Sequence, residues 1–158
     1  MKLLKNNKGF TLIELLIVIG ILTVLLAITL VAINPARQFS QANNTQRQSN
    51  VNAIINAVHE YAADHKGSLP TGINSTVKAI TSTAGAGNVD LCTLLVPIYI
   101  ADMPVDPTGG TKTPETSLCS DSGAAYASGY TIVASGSASR VTVTAPSAEL
   151  GVTISVTR

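Results

Sequence analysis

The residues with the most distinctive chemistry lie at the start of a long apolar run. Residues 8–18 have the sequence KGFTLIELLIV, and from Phe10 to Ile33 the only charged side chain is Glu14. As a helix this run would span roughly 36 Å, enough to cross a hydrocarbon core of about 30 Å. A lone charge at the bilayer centre costs about 2.5–3.5 kcal/mol on insertion scales. The run therefore predicts a membrane-spanning helix whose single acid needs a counter-charge from elsewhere.

Residues that could support catalysis are scattered along the rest of the chain. No G-x-S-x-G sequence occurs, and TGGTKT at 108–113 has Thr111 where a phosphate-binding loop needs glycine before the lysine. His59 and His65 are six positions apart on a predicted helix, which places them on different faces as exposed residues. We therefore expect no catalytic residue, no metal site and no cofactor, and we expect that the chain is not an enzyme.

Three acids, Asp102, Asp106 and Asp121, fall in predicted loops. Carboxylate oxygens in such loops suit calcium. No spacing identifies a site here, so we interpret the three as solvated loop acids and leave calcium binding open.

The charges are unevenly distributed along the 158 residues, a length that predicts one modest domain. Lys2, Lys5 and Lys8 precede the apolar run, and beyond residue 9 seven basic side chains stand against nine acidic ones. The positive-inside rule then keeps the N-terminus in the cytoplasm and places residues after about 34 outside. The slightly acidic remainder does not favour nucleic-acid binding, which depends on basic surface. A plain signal anchor would explain this much.

The chain has two cysteines, Cys92 and Cys119, both beyond the membrane run. An even count in an extracytoplasmic domain predicts a disulfide. Two separate buried thiols are the alternative.

The second half of the N-terminal helix is predicted to carry a small domain. Apolar residues recur at spacings of three and four, the pattern of an amphipathic helix. They are Val51, Ile54, Ile55, Val58, Tyr61 and Ala62. We predict one long helix from Phe10 to about Lys66 with a kink or a local break near Pro35, because proline lacks the N–H and clashes with the preceding turn.

The last thirty residues predict a sheet for this helix to pack on. Segments 130–134, 140–145 and 152–157 alternate apolar and polar residues. They predict a three-stranded antiparallel meander with its apolar side on the helix. Residues 67–128 show the least regular pattern, and we expect a connecting loop region there.

The order Lys8-Gly9-Phe10-Thr11-Leu12-Ile13-Glu14-Leu15 resembles the processing site of type IV pilins and type II secretion pseudopilins. The specific likeness covers residues 8–33. It implies cleavage between Gly9 and Phe10 by a prepilin peptidase, N-methylation of Phe10 and a role for Glu14 in assembly. Many pilins have their disulfide in the C-terminal region, and Cys92 and Cys119 depart from that pattern.

The resemblance also implies a fold class, α+β of the type IV pilin-like kind, with one long N-terminal helix on a small antiparallel sheet. The expected organisation starts with a cleaved leader and ends with the meander. Its segments are 1–9 (leader), 10–33 (membrane and filament core), 34–66 (amphipathic helix), 67–128 (variable region) and 129–158 (meander).

The implied partners are further copies in a helical filament, the prepilin peptidase, an inner-membrane assembly platform with its ATPase, and the membrane before assembly. The implied location is the inner membrane for the precursor, followed by an extracellular pilus or a periplasmic pseudopilus.

For Glu14 the resemblance suggests a counter-charge that the gene does not encode as a side chain. Cleavage creates an amine at Phe10, and Glu14 of one subunit can meet the Phe10 amine of another in a stacked filament. An intrachain pair, one helical turn apart, is the alternative.

The sequence leaves four functions open. The first is a structural pilin serving adhesion, motility or DNA uptake. The second is a pseudopilin, because MPVDPTGG at 103–110 faintly resembles a segment of major pseudopilins. The third is a minor tip pilin that binds DNA or a receptor, for which Arg140 and Arg158 are weak support, and the fourth is an enzyme on a signal anchor.

Overall fold

The computed structural model describes residues 9–136 and 140–158. They divide between Gln38 and Phe39 into two compact units, which we describe separately. Lys2, Lys5 and Lys8 lie outside the described residues.

The first unit contains helix α1, Leu12–Ile33. Among the described residues it is the one helix long and apolar enough to cross a membrane. None of its residues is buried, and its large apolar side chains keep between 50 and 84% of their surface exposed. Since apolar surface in water is costly, α1 needs lipid or another chain as its partner.

The N-terminal helical segment is divided into two at Asn34, next to Pro35, where the sequence predicts a break or a bend. Helix α1 ends at Ile33, and Asn34 adopts a left-handed conformation (φ 47°). Helix α2, Pro35–Asp64, begins with the proline, whose missing N–H costs nothing at the first helical position. Beyond Asp64, Lys66 and Gly67 have positive φ values and end the helical segment.

The second unit contains a mixed sheet of six strands, so the prediction of three antiparallel strands is wrong. The strands are β1 Lys78–Thr81, β2 Asn88–Val89, β3 Thr111–Thr113, β4 Ala125–Ala134, β5 Val141–Ala145 and β6 Ile154–Thr157. Their order is β2-β1-β4-β5-β6, with β3 paired to β4. The short helix α3, Cys92–Leu95, lies between β2 and β3.

The predicted meander is present as β4, β5 and β6, which pair antiparallel. The error lies in residues 67–128, which contribute β1, β2 and β3, with β1 and β2 parallel. These strands have four, two and three residues, too few to show alternation in the sequence. The ten-residue β4 offers backbone partners to β1 and β3, and β1 in turn pairs with β2.

The core lies between α2 and one face of the sheet. Val51, Ile54, Ile55 and Val58 are fully buried, as the spacing of three and four predicts. On β5, Val141, Val143 and Ala145 are buried, and the threonines between them are partly exposed. The sheet thus packs its apolar side in the core, and each buried Val or Ile contributes about 1.5–3 kcal/mol to folding.

A buried charge cluster links α2 to two loops. The Arg47 side chain is completely buried, and its Nε donates to Oδ2 of Asp106 at 2.7 Å. Its Nη1 donates to Oε2 of Glu149 at 2.8 Å and to Oδ1 of Asn44 at 3.0 Å. Because both carboxylates favour the charged guanidinium, the pKa of Arg47 is raised, with the hydrogen bond to Asp106 as the main cause.

The interpretation of the three acids as solvated is wrong for Asp106. Its side chain is fully buried, and Oδ1 also accepts from the backbone N–H groups of Thr108 and Gly109 at 2.9 and 2.7 Å. Asp102 is partly buried, is paired with Lys112 and accepts from the N–H of Cys119. These acids organise loops because a buried carboxylate needs several donors; Asp121 alone is exposed.

Strand β4 approaches Asp106 closely at Gly129. Gly129 has a φ of 78°, and a Cβ added there would lie 2.7 Å from Cβ of Asp106. The backbone N–H of Asp106 donates to the carbonyl of Ser128 at 2.8 Å. A side chain at position 129 would therefore push the Asp106 loop away from Arg47.

The loop between β5 and β6 is held to α2 around Glu149. Asn44 donates to the Glu149 carbonyl and accepts from its N–H, both at 2.9 Å, and Asn43 donates to its carboxylate at 3.0 Å. One turn of α2 thus fixes both the backbone and the side chain of this loop.

Cys92 and Cys119 form a disulfide, with their Cα atoms 6.1 Å apart. The bond joins α3 to the loop before β4 and closes a segment of 27 positions. Closure of a loop of this size stabilises a domain by about 3.5 kcal/mol in the chain-entropy account.

We expect Arg47→Met to lower the free energy of unfolding by about 3–5 kcal/mol, because Asp106 would remain buried without its partner. Urea denaturation of a fragment containing residues 36–158 measures this. Arg158→Met is the control, since Arg158 is exposed and should contribute less than about 1 kcal/mol. The double variant R47M/D106N should recover part of the loss; equal losses for R47M and R158M would contradict the assignment.

The same cluster predicts instability in acid. The Arg47 guanidinium holds the pKa of Glu149 below its ordinary 4.5. Burial raises the pKa of Asp106, but Arg47 and the two N–H donors outweigh this and hold it below 3.8. Groups with lowered folded pKa values stabilise above their unfolded values and lose this contribution as the pH falls through the folded ones.

The thermal midpoint of the 36–158 fragment should therefore start to fall below about pH 4.5 and continue to fall below pH 3.8. Glu149→Gln should make the upper part of this decline shallower. An identical decline in the variant would show that Glu149 does not contribute.

Candidate processing and assembly site

The peptide bond between Gly9 and Phe10 lies in an exposed segment before α1. Both residues are exposed and non-helical, and Phe10 keeps 84% of its surface accessible. A Cβ added at Gly9 would meet nothing within 4 Å. Exposed, irregular segments of this kind are accessible to peptidases.

Glu14 and Thr11 form a capping box at the start of α1. Oε2 of Glu14 accepts from the Thr11 backbone N–H at 2.9 Å and from the Thr11 hydroxyl at 2.7 Å. In return, Oγ1 of Thr11 accepts from the Glu14 backbone N–H at 3.3 Å. Two donors that a helix start otherwise leaves without a partner are satisfied in this way.

The carboxylate in the apolar run thus has a partner within the uncleaved chain, which the sequence analysis missed. The signal was available, because Thr-x-x-Glu before an apolar run is the pattern of a capping box. The side chain also lies in the first turn, where the helix dipole favours a negative charge. In this state Glu14 contacts Thr11, and the nitrogen of Phe10 is a peptide nitrogen without charge.

The other polar side chains of α1 are satisfied by its own backbone. The Thr23 hydroxyl donates to the Ile19 carbonyl at 2.7 Å, and the Thr29 hydroxyl donates to the Leu26 carbonyl at 2.9 Å. Beyond Glu14, α1 therefore offers an apolar surface all round, which suits lipid or packed helices.

The two histidines differ in environment. His65 is exposed, stacks on Tyr61 with ring centroids 3.9 Å apart and has Nδ1 2.8 Å from the Tyr61 carbonyl. His59 is only partly exposed, so the prediction of an exposed residue is wrong for it; its Nε2 is buried with no hydrogen-bond partner among the described residues. Within 9–136 and 140–158, no group of three or more His, Cys, Asp or Glu side chains is arranged to hold a metal ion.

The two arginines considered for DNA binding are both exposed. Arg158 donates to the amide oxygen of Asn56 on α2. They remain weak support for nucleic-acid binding.

Residues 4–30 match the family model for the prokaryotic N-terminal methylation motif. The chain therefore carries the class III signal peptide of type IV pilin-like proteins and pseudopilins, and the match includes Gly9, Phe10 and Glu14. No curated protein and no solved structure matches the chain.

We expect Thr11→Val to weaken the first turn of α1 by about 1 kcal/mol, because the side-chain cap is lost. Hydrogen exchange of the Glu14 amide, measured on the full chain in lipid nanodiscs, should become about fivefold faster. Thr23→Val is the matched control, since Thr23 bonds within the helix and does not cap it. Equal protection of Glu14 in wild type and T11V would contradict the cap.

Proposed function

We propose that this chain is a structural subunit of a type IV pilus, cleaved between Gly9 and Phe10 and assembled through α1. The observation that carries the proposal is the methylation motif at residues 4–30, which overlaps a helix with no buried residue of its own. A motif for processing and a surface that needs a partner thus occur in the same segment. The proposal includes no catalytic activity for the chain itself.

Cleavage supplies the charge that the precursor lacks. Removing residues 1–9 turns the Phe10 peptide nitrogen into an amine, which is cationic at neutral pH. In a filament with staggered helices, Glu14 of one subunit meets this amine on a neighbour. Pairing offsets much of the cost of burying each charge, so it favours one register among otherwise featureless apolar helices.

Apolar packing supplies the rest of the assembly. Residues 12–33 leave lipid and pack against the same segment of neighbouring subunits. Because lipid is as apolar as the helices, the net gain depends on packing and on the Glu14 pair. The contact is heterologous and does not close, so it propagates as a helix. Extraction from the membrane is assigned to an assembly platform and its ATPase.

The second unit, residues 39–158, is a globular unit that lies outside the cytoplasm before and after assembly. The disulfide between Cys92 and Cys119 supports this location, because disulfides persist in oxidising compartments. In the assembled filament the unit would cover the helical core.

A pseudopilin of a type II secretion system is the second candidate, supported by the MPVDPTGG segment at 103–110. Met103 and Asp106 of this segment are buried, and Asp106 binds Arg47. The segment therefore has a role within the domain, and its likeness to pseudopilins favours that family only weakly. Long surface fibres would select the pilus, and short periplasmic ones the pseudopilus.

Intact-mass analysis of purified filaments tests the proposal. The expected mass is that of residues 10–158 with one added methyl group and two hydrogens fewer for the disulfide. A different mature N-terminus, or no filaments of this chain, would overturn the proposal.

Glu14→Gln separates the charge from the cap, because glutamine also serves in a capping box. The variant should be cleaved like the wild type yet form few or no filaments. Normal filaments from Glu14→Gln would show that the proposed charge pair is not needed.

A further inference from the structure

Three large apolar side chains are exposed around the turn between β5 and β6. Leu150 and Val152 keep 49 and 51% of their surface accessible, and Phe39 keeps 71%. Phe39 lies one turn of α2 before Asn43. The Asn43 amide donates to the carboxylate of Glu149, which directly precedes Leu150 in the chain. We call Phe39, Leu150 and Val152 the apolar patch, and exposed groups of this kind mark contact surfaces.

The backbone of the turn favours a different residue at position 150. The N–H of Val152 donates to the Glu149 carbonyl at 3.3 Å and closes the turn. Its two central residues, Leu150 and Gly151, have φ values of 60 and 69°. Turns with two positive φ values favour Asn, Asp or Gly, because a larger side chain strains this conformation. An exposed leucine here adds strain and no core packing, which points to a role outside the domain.

The charges near the patch in sequence do not oppose an anionic partner. In segments 35–44 and 145–153 the only charged residues are Arg37 and Glu149. The Glu149 carboxylate is paired with Arg47 at 2.8 Å, so its charge is compensated within the domain. Arg37 is exposed and precedes the patch by two positions in the sequence. A cation next to apolar side chains suits anionic headgroups above a hydrocarbon layer.

The length of the chain keeps the patch close to a membrane. The helix that can cross a bilayer, α1, ends at Ile33, and Phe39 follows six positions later. Six extended residues span at most about 20–22 Å. The headgroup layer on each side of the hydrocarbon core is roughly 5–8 Å thick. This limit depends on chain length alone, so Phe39 can reach the headgroups in any inserted chain.

We propose that the apolar patch inserts into the headgroup region of the membrane in which α1 is anchored. The partner that covers the patch is thus lipid. The inference depends on membrane anchoring of the chain and adds a second membrane contact to α1. It does not depend on which filament the chain forms. The hydrogen bonds around Glu149 then have a further effect, since they hold the strained turn on which Leu150 is exposed.

Paramagnetic broadening tests the proposal on the unaltered full chain. The chain is reconstituted in nanodiscs of phosphatidylcholine and phosphatidylglycerol that include a lipid with a gadolinium chelate on its headgroup. The amide NMR signals of Leu150 and Gly151 should broaden at least about threefold more than that of Ile98, whose exposed side chain belongs to the same unit. Equal broadening of the three signals would overturn the inference, and so would a chain that the nanodiscs do not retain.

Leu150→Asn separates the apolar side chain from the turn, because asparagine suits a positive φ. The variant should keep or raise the thermal midpoint of the wild type and lose most of the extra broadening at Gly151. Ile98→Asn is the matched control and should leave that broadening unchanged. Val152→Thr serves as a second variant if L150N does not fold. Wild-type broadening at Gly151 in a folded L150N or V152T would contradict the role of the patch.

Photo-crosslinking identifies what covers the patch. A photoreactive residue at position 150 should form adducts with lipid in the same nanodiscs, whereas one at position 98 should not. The absence of lipid adducts from position 150 would overturn the inference, whether the residue reacts with a second copy of the chain or with nothing.

Discussion

The globular unit depends on the burial of one guanidinium group. Arg47 extends from α2 and reaches Asp106 and Glu149, which belong to loops far apart in the sequence. No apolar side chain could specify both loops, because apolar contacts have no direction, whereas a guanidinium group binds carboxylates in a fixed geometry. The apolar core gives the unit most of its stability, and Arg47 determines where the 103–110 segment and the β5–β6 loop lie on α2.

The first unit differs, because within the described residues no side chain of α1 is buried. Beyond Glu14 the surface of α1 is apolar on all sides, and the hydroxyls of Thr23 and Thr29 donate to carbonyls of the helix itself. The chain thus combines a domain, which has its own apolar core and pairs its buried Arg47, with a helix that has no buried residue. Under the proposed function, this division would let one sequence exist first in a membrane and later among copies of itself.

Periodic features could be predicted from the sequence, and non-local ones could not. The apolar run, the buried face of α2 and the alternation in β5 all follow from residue spacing, and each is present. The strands β1, β2 and β3 are too short for a pattern and form through pairing with distant segments, β1 and β3 with β4 and β2 with β1. The pairing of Arg47 with Asp106 spans 59 positions, and nothing local distinguishes Asp106 from a solvated acid. The Thr11–Glu14 cap was a local signal that the search for a counter-charge overlooked.

The capping box also bears on the order of cleavage and assembly. Before cleavage, the Glu14 carboxylate is occupied by Thr11, and no cation is present at Phe10 to compete for it. Under the proposed mechanism, an unprocessed chain lacks the Phe10 amine that pairs with Glu14 of a neighbour, so it should remain a dispersed membrane protein and should not enter growing filaments. Cleavage by the peptidase then controls assembly. The same cut that removes the leader also creates the Phe10 amine, which competes with Thr11 for the Glu14 carboxylate.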